Sequence, residues 1–522
     1  MNKNRLLTSL IAVMAVLAAE AQNPAAPKLV VNILIDQLRS DYMQAFMPLY
    51  GDNGFKRLLS NGKVYTQGEF PITKVDRASA TASIATGSTP FYHGIVGQKW
   101  FDPSTLRGID CVEDRSCKGI ATDYGFSPQH LAVSTVSDEL KVATDGKSLV
   151  YSIAPFCDAA ILAAGHAADA SLWIDNQTGR WCTSSYYGSL PDWADARNRD
   201  FPLDKQLRRY KWEPFYQRNG DFSYFTTDGA TETFSHDFKG HSRFRLFKTS
   251  APVNEEVAAM AKDCLWKSNI GNDNFTDYLA VMLYAGNYDN RPVSQAPMEM
   301  QDTYVRIDKA LSDIIEAVDK KVGLANALFV ITSTGYSTEK TGDVQKFRIP
   351  TGTFDIKRSA ALLNMYLMAV YGQGNYVEAC FGQEIYLNKK LIEDKQLYLT
   401  EVLSRTQDFL IQLSGVKDVY TSQRIRLGAW TPGINKLRNT YNPQTSGDIL
   451  IQIAPGWRFV NEDSGENYIV GTGYVPFPVI FFGYDVKPEE VTSPVTVDYI
   501  APTLSKAIRI RAPNACFATP LP

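Results

Sequence analysis

Short apolar runs bounded by polar turns alternate along the chain with longer amphipathic stretches. Runs with the length and continuous apolar character of buried strands are Lys28–Ile35, Ser148–Ile153, Tyr278–Tyr284, Ala327–Thr332, Ile449–Ile453 and Val479–Phe482. Strands that are apolar on both faces are typical of a parallel sheet covered by helices on its two sides. The pattern therefore predicts an α/β fold, with a mainly parallel central sheet and helices on both faces.

Three stretches between or beyond these runs have the spacing of amphipathic helices. Leu38–Tyr50 follows the first predicted strand, and Leu399–Leu413 lies in the C-terminal half. In Asp302–Val322, apolar residues recur every three or four positions, which predicts a long helix. Helices alternating with buried strands support the covered parallel sheet.

The chain has 522 residues, enough for one large α/β domain with insertions. No repeat, low-complexity tract or clean linker divides it. Trp173–Lys248 differs from its surroundings, because it is rich in aromatic residues, Asp and Arg and has little periodicity. We expect this segment to form an insertion or cap over the carboxyl edge of the sheet. Gly342–Arg358 is predicted to be a polar loop.

The first 21 residues have the pattern of a secretory signal peptide. Lys3 and Arg5 precede the apolar stretch Leu6–Ala18, and a small-x-small cleavage motif ends at Ala21. The apolar stretch is too short to cross a bilayer, and no run of about 20 apolar residues follows it. We expect an exported chain, residues 22–522, in the periplasm or at the cell surface without a transmembrane segment. A short membrane anchor is the alternative.

Seven cysteines are present, and an exported chain can form disulfides. Cys111 and Cys117 lie close together in a polar segment and are the predicted pair. The odd number leaves at least one thiol free or paired between chains. None of the seven has the spacing of a zinc site.

Several segments carry a resemblance to a known enzyme family. Leu29–Tyr42 reads LVVNILIDQLRSDY, and Ala78–Asp102 reads ASATASIATGSTPFYHGIVGQKWFD. Val495–Leu504 reads VTVDYIAPTL, and Pro513–Pro520 reads PNACFATP. Together and in this order they resemble the alkaline phosphatase superfamily, in its secreted phosphatase/phosphodiesterase branch common in bacteroidete-type bacteria. The resemblance implies that fold over nearly the whole mature chain, and for an intact site a metal-dependent phosphomonoesterase or phosphodiesterase.

The same resemblance locates the family's active-site positions. Asp36 directly follows the first predicted strand and matches an Asp that binds a catalytic metal, at the sheet edge where such folds bind ligands. Counting back from Ala82–Pro90 places Arg77 at the position of the Thr or Ser nucleophile. Arginine is always protonated and cannot attack phosphorus. Gln98 stands where the family has an Asn that helps to hold phosphoryl oxygens.

The family's other positions also hold different residues. Phe156 and Asp158 stand in place of a phosphate-binding Lys and Arg. Two Asp-His pairs of metal ligands are replaced by Asn287 and Arg291 and by Ser333 and Thr334. Pro476 replaces a final metal-binding His. Two catalytic metals need several carboxylates and imidazoles. Asp36 is the only retained metal-ligand position, so we expect no metal cofactor; zinc is the alternative.

Alternative metal ligands and nucleophiles remain open. The five histidines, expected to be structural, are His93, His130, His166, His236 and His241. His236, Asp237 and His241 form the one group that could bind a single metal. Hydroxyls that could replace the nucleophile, or that cap and pack the helix, are those of Thr73, Ser79, Thr81 and Ser83. A local shift of alignment restores one position, but not four losses in four separate segments.

These substitutions predict a catalytically inactive pseudo-phosphatase that acts by binding. Its partner would be a protein, with Trp173–Lys248 as the contact region, or an anionic ligand held by Arg77 and Arg291. We expect one or both of these guanidiniums to replace the metals beside Asp36, with one of them at about 2.7–3.2 Å from its carboxylate. The net charge of -3 and the lack of a basic stripe argue against nucleic acid.

Two other functions stay open at this point. One is an active hydrolase of phosphate, phosphodiester or sulfate esters with a remodelled metal site. The other is a structural component of a cell-envelope complex.

Overall fold

A computed structural model describes residues 26–216, 233–291, 293–337, 351–428, 431–471 and 475–522. The predicted signal peptide, residues 1–21, lies outside these ranges, as does most of the predicted polar loop Gly342–Arg358. The described end of that loop is instead the strand Thr353–Asp355 and the start of the helix Ile356–Tyr371. None of the helices in the described ranges is both long and apolar enough to cross a membrane.

Within the described ranges, eleven strands form a central sheet whose middle is parallel. Its parallel strands, in spatial order, are Ala327–Ser333, Leu29–Asp36, Asp277–Tyr284, Val150–Ile153 and Ala170–Ile174. Four of them correspond to predicted buried strands. The predicted α/β class is confirmed, and the carboxyl ends of the three strands centred on Leu29–Asp36 meet at one edge.

Both sides of this parallel centre continue with antiparallel strands. Phe477–Gly483 pairs antiparallel with Ala327–Ser333 and with Lys63–Glu69. Beyond it, Lys63–Glu69 pairs with two short strands, Glu489–Val491 and Val495–Thr496. On the other side, the antiparallel strands are Trp181–Ser184 and Gly119–Ile120. The sheet is therefore mixed rather than wholly parallel.

Helices cover both faces of the sheet, each over its own apolar core. On one face lie Ser40–Ala45, Phe55–Asn61, Val253–Lys267 and Pro297–Val322. On the other face lie Arg77–Thr86, Val136–Ala143, Cys157–Ala164 and Ile500–Ala507. Alternate residues of the buried strands point into these two cores. The helix predicted at Leu38–Tyr50 is shorter than expected and is followed by the 3₁₀ turn Met47–Leu49.

Residues 351–471 build a separate unit with a third apolar core. Its two small sheets consist of Val377–Phe381, Glu384–Leu387, Ile449–Ile453 and Val416–Thr421, and of Thr353–Asp355, Arg458–Asn461 and Glu466–Ile469. Its helices are Ile356–Tyr371, Lys389–Asp394, Leu399–Leu410, Ser422–Leu427 and Pro432–Thr440. No sequence pattern predicts this unit, and the prediction that Ile449–Ile453 belongs to the central sheet is wrong.

The predicted insertion Trp173–Lys248 begins inside the central sheet, because Trp173 and the strand Trp181–Ser184 belong to it. Its described remainder contains Asp192–Asp200, Leu203–Leu207, Arg243–Lys248 and the strand pair Lys211–Trp212 and His236–Asp237. Many of its aromatic residues, including Trp212, Phe238 and Phe244, are buried in the main core. These rings therefore serve packing rather than an exposed contact surface.

The predicted disulfide between Cys111 and Cys117 is wrong. All seven cysteines are free thiols in the structure. Cys111 follows the hairpin of Lys99–Asp102 and Arg107–Asp110 and is fully buried in the core. The Sγ atom of Cys117 instead lies 3.3 Å from Oδ2 of Asp114 in the following loop. Proximity in sequence did not bring the two side chains together, because one faces the core and the other a polar loop.

Candidate active site

Asp36 lies where the sequence predicts, at the carboxyl end of the central parallel strands. Its carboxylate is fully buried, and the neighbouring strand end supplies its partner. The hydroxyl of Thr334 donates a hydrogen bond of 2.9 Å to Oδ1 of Asp36. The same hydroxyl accepts a bond of 2.8 Å from the backbone N–H of Gln37. Thr334, which the resemblance places at a metal-ligand position, thus serves to hold Asp36 in place.

Arg77 opens the helix Arg77–Thr86 and reaches across to Asp36. Its Nη1 lies 3.3 Å from Oδ2 of Asp36, slightly beyond the predicted distance. Asp76 caps the helix by accepting a 2.9 Å bond from the backbone N–H of Ser79, whose hydroxyl bonds back to the capping residue. The cap fixes the first turn of the helix and with it the base of the Arg77 side chain.

Asp158 provides the second carboxylate for Arg77. The Nε of Arg77 donates to both oxygens of Asp158, at 3.0 Å each. The side-chain amide of Gln98 donates to Oδ2 at 2.9 Å, and the backbone N–H of Ala159 donates to Oδ1 at 2.9 Å. The guanidinium carbon of Arg77 also stacks on the ring of Phe156, 3.8 Å from its centroid. Four predicted family positions therefore form one contact network around Arg77.

Burial and charge shift the pKa values of the two carboxyls in opposite directions. Burial raises the pKa of Asp36, and the opposing effects of Arg77 and Thr334 do not cancel it. Burial acts on Asp158 as well, but the Arg77 charge and the hydrogen bonds from Arg77 and Gln98 hold its pKa below the ordinary value. For Arg77, the two carboxylates outweigh burial and raise the guanidinium pKa further. Asp158 is consequently the stronger partner of Arg77.

The remaining predicted positions do not join this network. The guanidinium of Arg291, the second candidate for the place beside Asp36, is half exposed, and its nearest carboxylate is Asp289 at 3.9 Å. Of the two arginines, Arg77 therefore lies beside Asp36 and Arg291 does not. The amide of buried Asn287 donates to the backbone carbonyl of Arg291 at 2.7 Å. Ser333 donates to the carbonyl of Leu38 at 2.8 Å, so both side chains hold loops.

The alternative hydroxyls have structural partners. Thr81 bonds the carbonyl of Arg77 at 2.7 Å, and Thr73 lies 3.0 Å from Thr440. Ser83 contacts Nε2 of His93 at 3.1 Å inside the core. Together with the capping role of Ser79, these contacts match the capping and packing alternative.

Two further histidines also pack into local networks. His236 contacts Glu299 at 2.7 Å and His166 contacts Asp138 at 2.9 Å. Asp237, the proposed co-ligand of His236, forms an ion pair with Lys239. Over the described part of the chain, no group of three or more His, Cys, Asp or Glu side chains is arranged to hold a metal ion.

The residues around Asp36 do not fit a two-metal centre. Such a centre needs several carboxylates and imidazoles, whereas the side chains beside Asp36 are a hydroxyl and a guanidinium. The positive charge of Arg77 lies 3.3 Å from Asp36 and 3.0 Å from Asp158, so it already pairs with both carboxylates of the network. Its charge therefore opposes a metal there.

Lys248 is a neighbour of the site that the sequence analysis missed. Its ammonium is buried, lies 5.0 Å from the ring centroid of Phe156, and donates to the carbonyl of Ile174 and to Asn176. Burial lowers its pKa to about 8. Lys248 ends a short helix of the aromatic-rich segment, where no sequence motif marks it.

Comparison with known proteins identifies the family to which this chain belongs. The profile of the Type I phosphodiesterase / nucleotide pyrophosphatase family matches residues 30–474. The chain is a member of this family, within the alkaline phosphatase superfamily. It is 30% identical to alkaline phosphatase PhoV of Synechococcus elongatus, over 94% of this chain and 92% of that relative. It is 29% identical to alkaline phosphatase PafA of Elizabethkingia meningoseptica, over 99% and 98% of the two chains.

The solved structure of PafA has the same architecture. It superposes with a TM-score of 0.80 at 28% identity, covering 95% of this chain and 98% of PafA. A PafA variant has also been solved in which a threonine, an asparagine, a lysine and an arginine are substituted, in that order along its chain. Those residue types, in that order, are the ones that the resemblance assigns to the positions of Arg77, Gln98, Phe156 and Asp158.

Proposed function

We propose that this member of the alkaline phosphatase superfamily is a catalytically inactive pseudo-phosphatase that acts by binding a protein partner. One observation carries the proposal: the guanidinium of Arg77 lies between the carboxylates of Asp36 and Asp158, stacked on Phe156. A protonated guanidinium at the position that the family gives to its nucleophile cannot form a covalent phosphoryl intermediate. The hydroxyls nearby are committed to capping, packing or Asp36.

The charges of the network favour a protein over an anionic ligand. The positive charge of Arg77 is matched by two carboxylates, so it offers little attraction to a further anion. Arg291 lies outside the network, so the two arginines cannot clamp one anion together as the sequence analysis expected. A binding function is therefore assigned to the protein's surface rather than to this pocket.

We also propose that the chain is exported to the periplasm or cell surface. The positively charged start, short apolar stretch and small-residue motif of residues 1–21 support this location. Affinity purification from envelope extracts then separates two roles. Recovery in a fixed stoichiometric assembly would favour a structural component of an envelope complex, whereas a reversible and substoichiometric partner would favour a regulatory binding role.

Catalysis is the direct test of inactivity. The purified chain is assayed with an aryl phosphate, a bis-aryl phosphodiester and an aryl sulfate, with and without added zinc, alongside PafA as the positive control. The proposal expects no turnover above background with any substrate. An active hydrolase with a remodelled site is favoured by the identity to named phosphatases. Turnover that a chelator and Asp36→Ala both abolish would establish that alternative.

A further inference from the structure

The carboxylate of Asp158 is held in the way that proteins hold a bound oxyanion. It is nearly fully buried, and hydrogen-bond donors reach it from three directions. These are the guanidinium of Arg77, the side-chain amide of Gln98 and the backbone N–H of Ala159, at distances between 2.9 and 3.0 Å. Charged and amide donors converging on one buried group are the normal composition of an oxyanion site.

The backbone around Asp158 adds to this arrangement. Arg77 and Asp158 belong to the first turns of two helices, Arg77–Thr86 and Cys157–Ala164, which pack against each other. The positive ends of helix dipoles favour negative charge. Burial by itself raises the pKa of Asp158, but the charge of Arg77 and the hydrogen bonds from Arg77, Gln98 and Ala159 hold it below its ordinary value.

We propose that Asp158 is a built-in ligand that occupies a complete oxyanion-binding site of its own fold. The site takes a carboxylate, phosphate or sulfate group, and the chain supplies that group itself. Free anions are excluded from it while Asp158 is in place. This inference rests on the proposed function, because it explains how the pocket of an inactive member stays ordered without substrate.

Removal of Asp158 leaves hydrogen-bond donors in the cavity without an acceptor. If the carboxylate of Asp158 is removed, Arg77 Nε, Gln98 Nε2 and the N–H of Ala159 lose their common acceptor. Unpaired buried donors are costly, so the cavity should recruit an anion from solution. The ammonium of Lys248, whose charge interacts with that of Asp158, also favours an anion there.

The test is phosphate binding by the natural chain and by Asp158→Ala, measured by titration calorimetry and by the shift of the thermal unfolding midpoint. We expect inorganic phosphate to bind Asp158→Ala at least about tenfold more tightly than the natural chain. Sulfate should compete with phosphate for the same site. Asp158→Asn, which keeps the volume of the side chain, is the matched control and should show no gain.

Two further variants keep the proposal open to refutation. Arg77→Ala combined with Asp158→Ala removes the main donor and should abolish the gain in phosphate affinity. If Asp158→Ala does not fold, Asp158→Ser is used, because it also removes the carboxylate and serine is well tolerated at a helix start, with refolding yield compared in the presence and absence of phosphate. A folded Asp158→Ala that binds phosphate no better than the natural chain, or equal binding by the double variant, would overturn the proposal.

This outcome is independent of the catalytic test. Turnover of esters by the natural chain would refute inactivity. A lack of phosphate binding by Asp158→Ala would refute only the built-in ligand.

Discussion

The Nε atom of Arg77 lies 3.0 Å from each carboxylate oxygen of Asp158. By the resemblance to the superfamily, these two residues stand at the positions expected for a neutral nucleophile and a phosphate-binding cation. A cation therefore stands where the attacking hydroxyl would be, and an anion stands where the substrate's charge would be neutralised. The two residues form an internal ion pair in place of a reactive pocket, and Arg77 also pairs with Asp36.

Replacing Arg77 should destabilise the fold without creating activity. Arg77→Thr supplies a hydroxyl at the nucleophile position but leaves Asp36 and Asp158 buried without their cation. We expect a loss of about 3–5 kcal/mol in the free energy of unfolding, because breaking a buried ion pair leaves uncompensated charge. Chemical denaturation measures the loss, and a phosphatase assay should stay at background.

Arg291→Thr is the matched control for that variant. The side chain of Arg291 is half exposed and has no close ion pair, so its loss should change the free energy of unfolding by at most about 0.5 kcal/mol. Equal effects of the two substitutions would show that Arg77 is not the central cation of the network.

Thr334→Val tests the second partner of Asp36. The substitution preserves shape but removes the hydroxyl that donates to the buried carboxylate. A hydrogen bond to a charged group contributes about 1.5–3 kcal/mol, and we expect a loss of that size in equilibrium unfolding. Thr332→Val is the control, because its hydroxyl donates to a neutral carbonyl, that of Pro478. The interpretation fails if Thr332→Val costs as much as Thr334→Val.

His93 should make the protein sensitive to mild acid. Burial lowers its pKa from 6.5 to about 3, so the folded state keeps the ring neutral while the unfolded state takes up a proton. The stabilisation from this difference is present above pH 6.5 and is lost as the pH falls toward about 3. Between about pH 7.5 and about pH 5, the loss should be about 2 kcal/mol.

The variant His93→Asn should flatten that dependence, although it is less stable at neutral pH. The free energy of unfolding is measured for the natural chain and for His93→Asn across this pH range. Parallel pH profiles of the two proteins would contradict the role of His93 in acid sensitivity.

The free cysteines give a simple chemical prediction. Thiol titration of the denatured, unreduced protein should count all seven groups. Cys111→Ala should cost about 1–2 kcal/mol of unfolding free energy because it leaves a gap in the core. Cys117→Ala should cost less. Five reactive thiols, and equal losses for the two variants, would instead indicate the disulfide that the structure lacks.

Sequence patterns located the centre of the fold better than its periphery. Leu29–Asp36 and Asp277–Tyr284 are apolar on both faces, which only the middle of a covered sheet requires. Ile449–Ile453 is also a short, largely apolar run but lies in the small sheet of residues 351–471, because such a run does not specify its neighbours. That whole unit lacks a compositional boundary, so its separate core was not foreseen.

The candidate site shows the same division. Asp36 ends a strand and Arg77 begins a helix, and these two element boundaries fix where the residues lie. Their contact was therefore predictable from the sequence. Arg291 lies on an irregular connection, where the direction of a long side chain depends on local packing with Tyr288 and Asp289. The link between Gln98 and Asp158 was also missed, since the sequence indicated only their separate departures from the family pattern.

The most direct test of the central claim is an experimental structure from crystals soaked in zinc, with anomalous diffraction measured at the zinc edge. The account predicts no zinc peak beside Asp36 and a guanidinium nitrogen of Arg77 about 3.3 Å from its carboxylate. A zinc peak about 2.0–2.2 Å from an oxygen of Asp36, with Arg77 turned away, would contradict it.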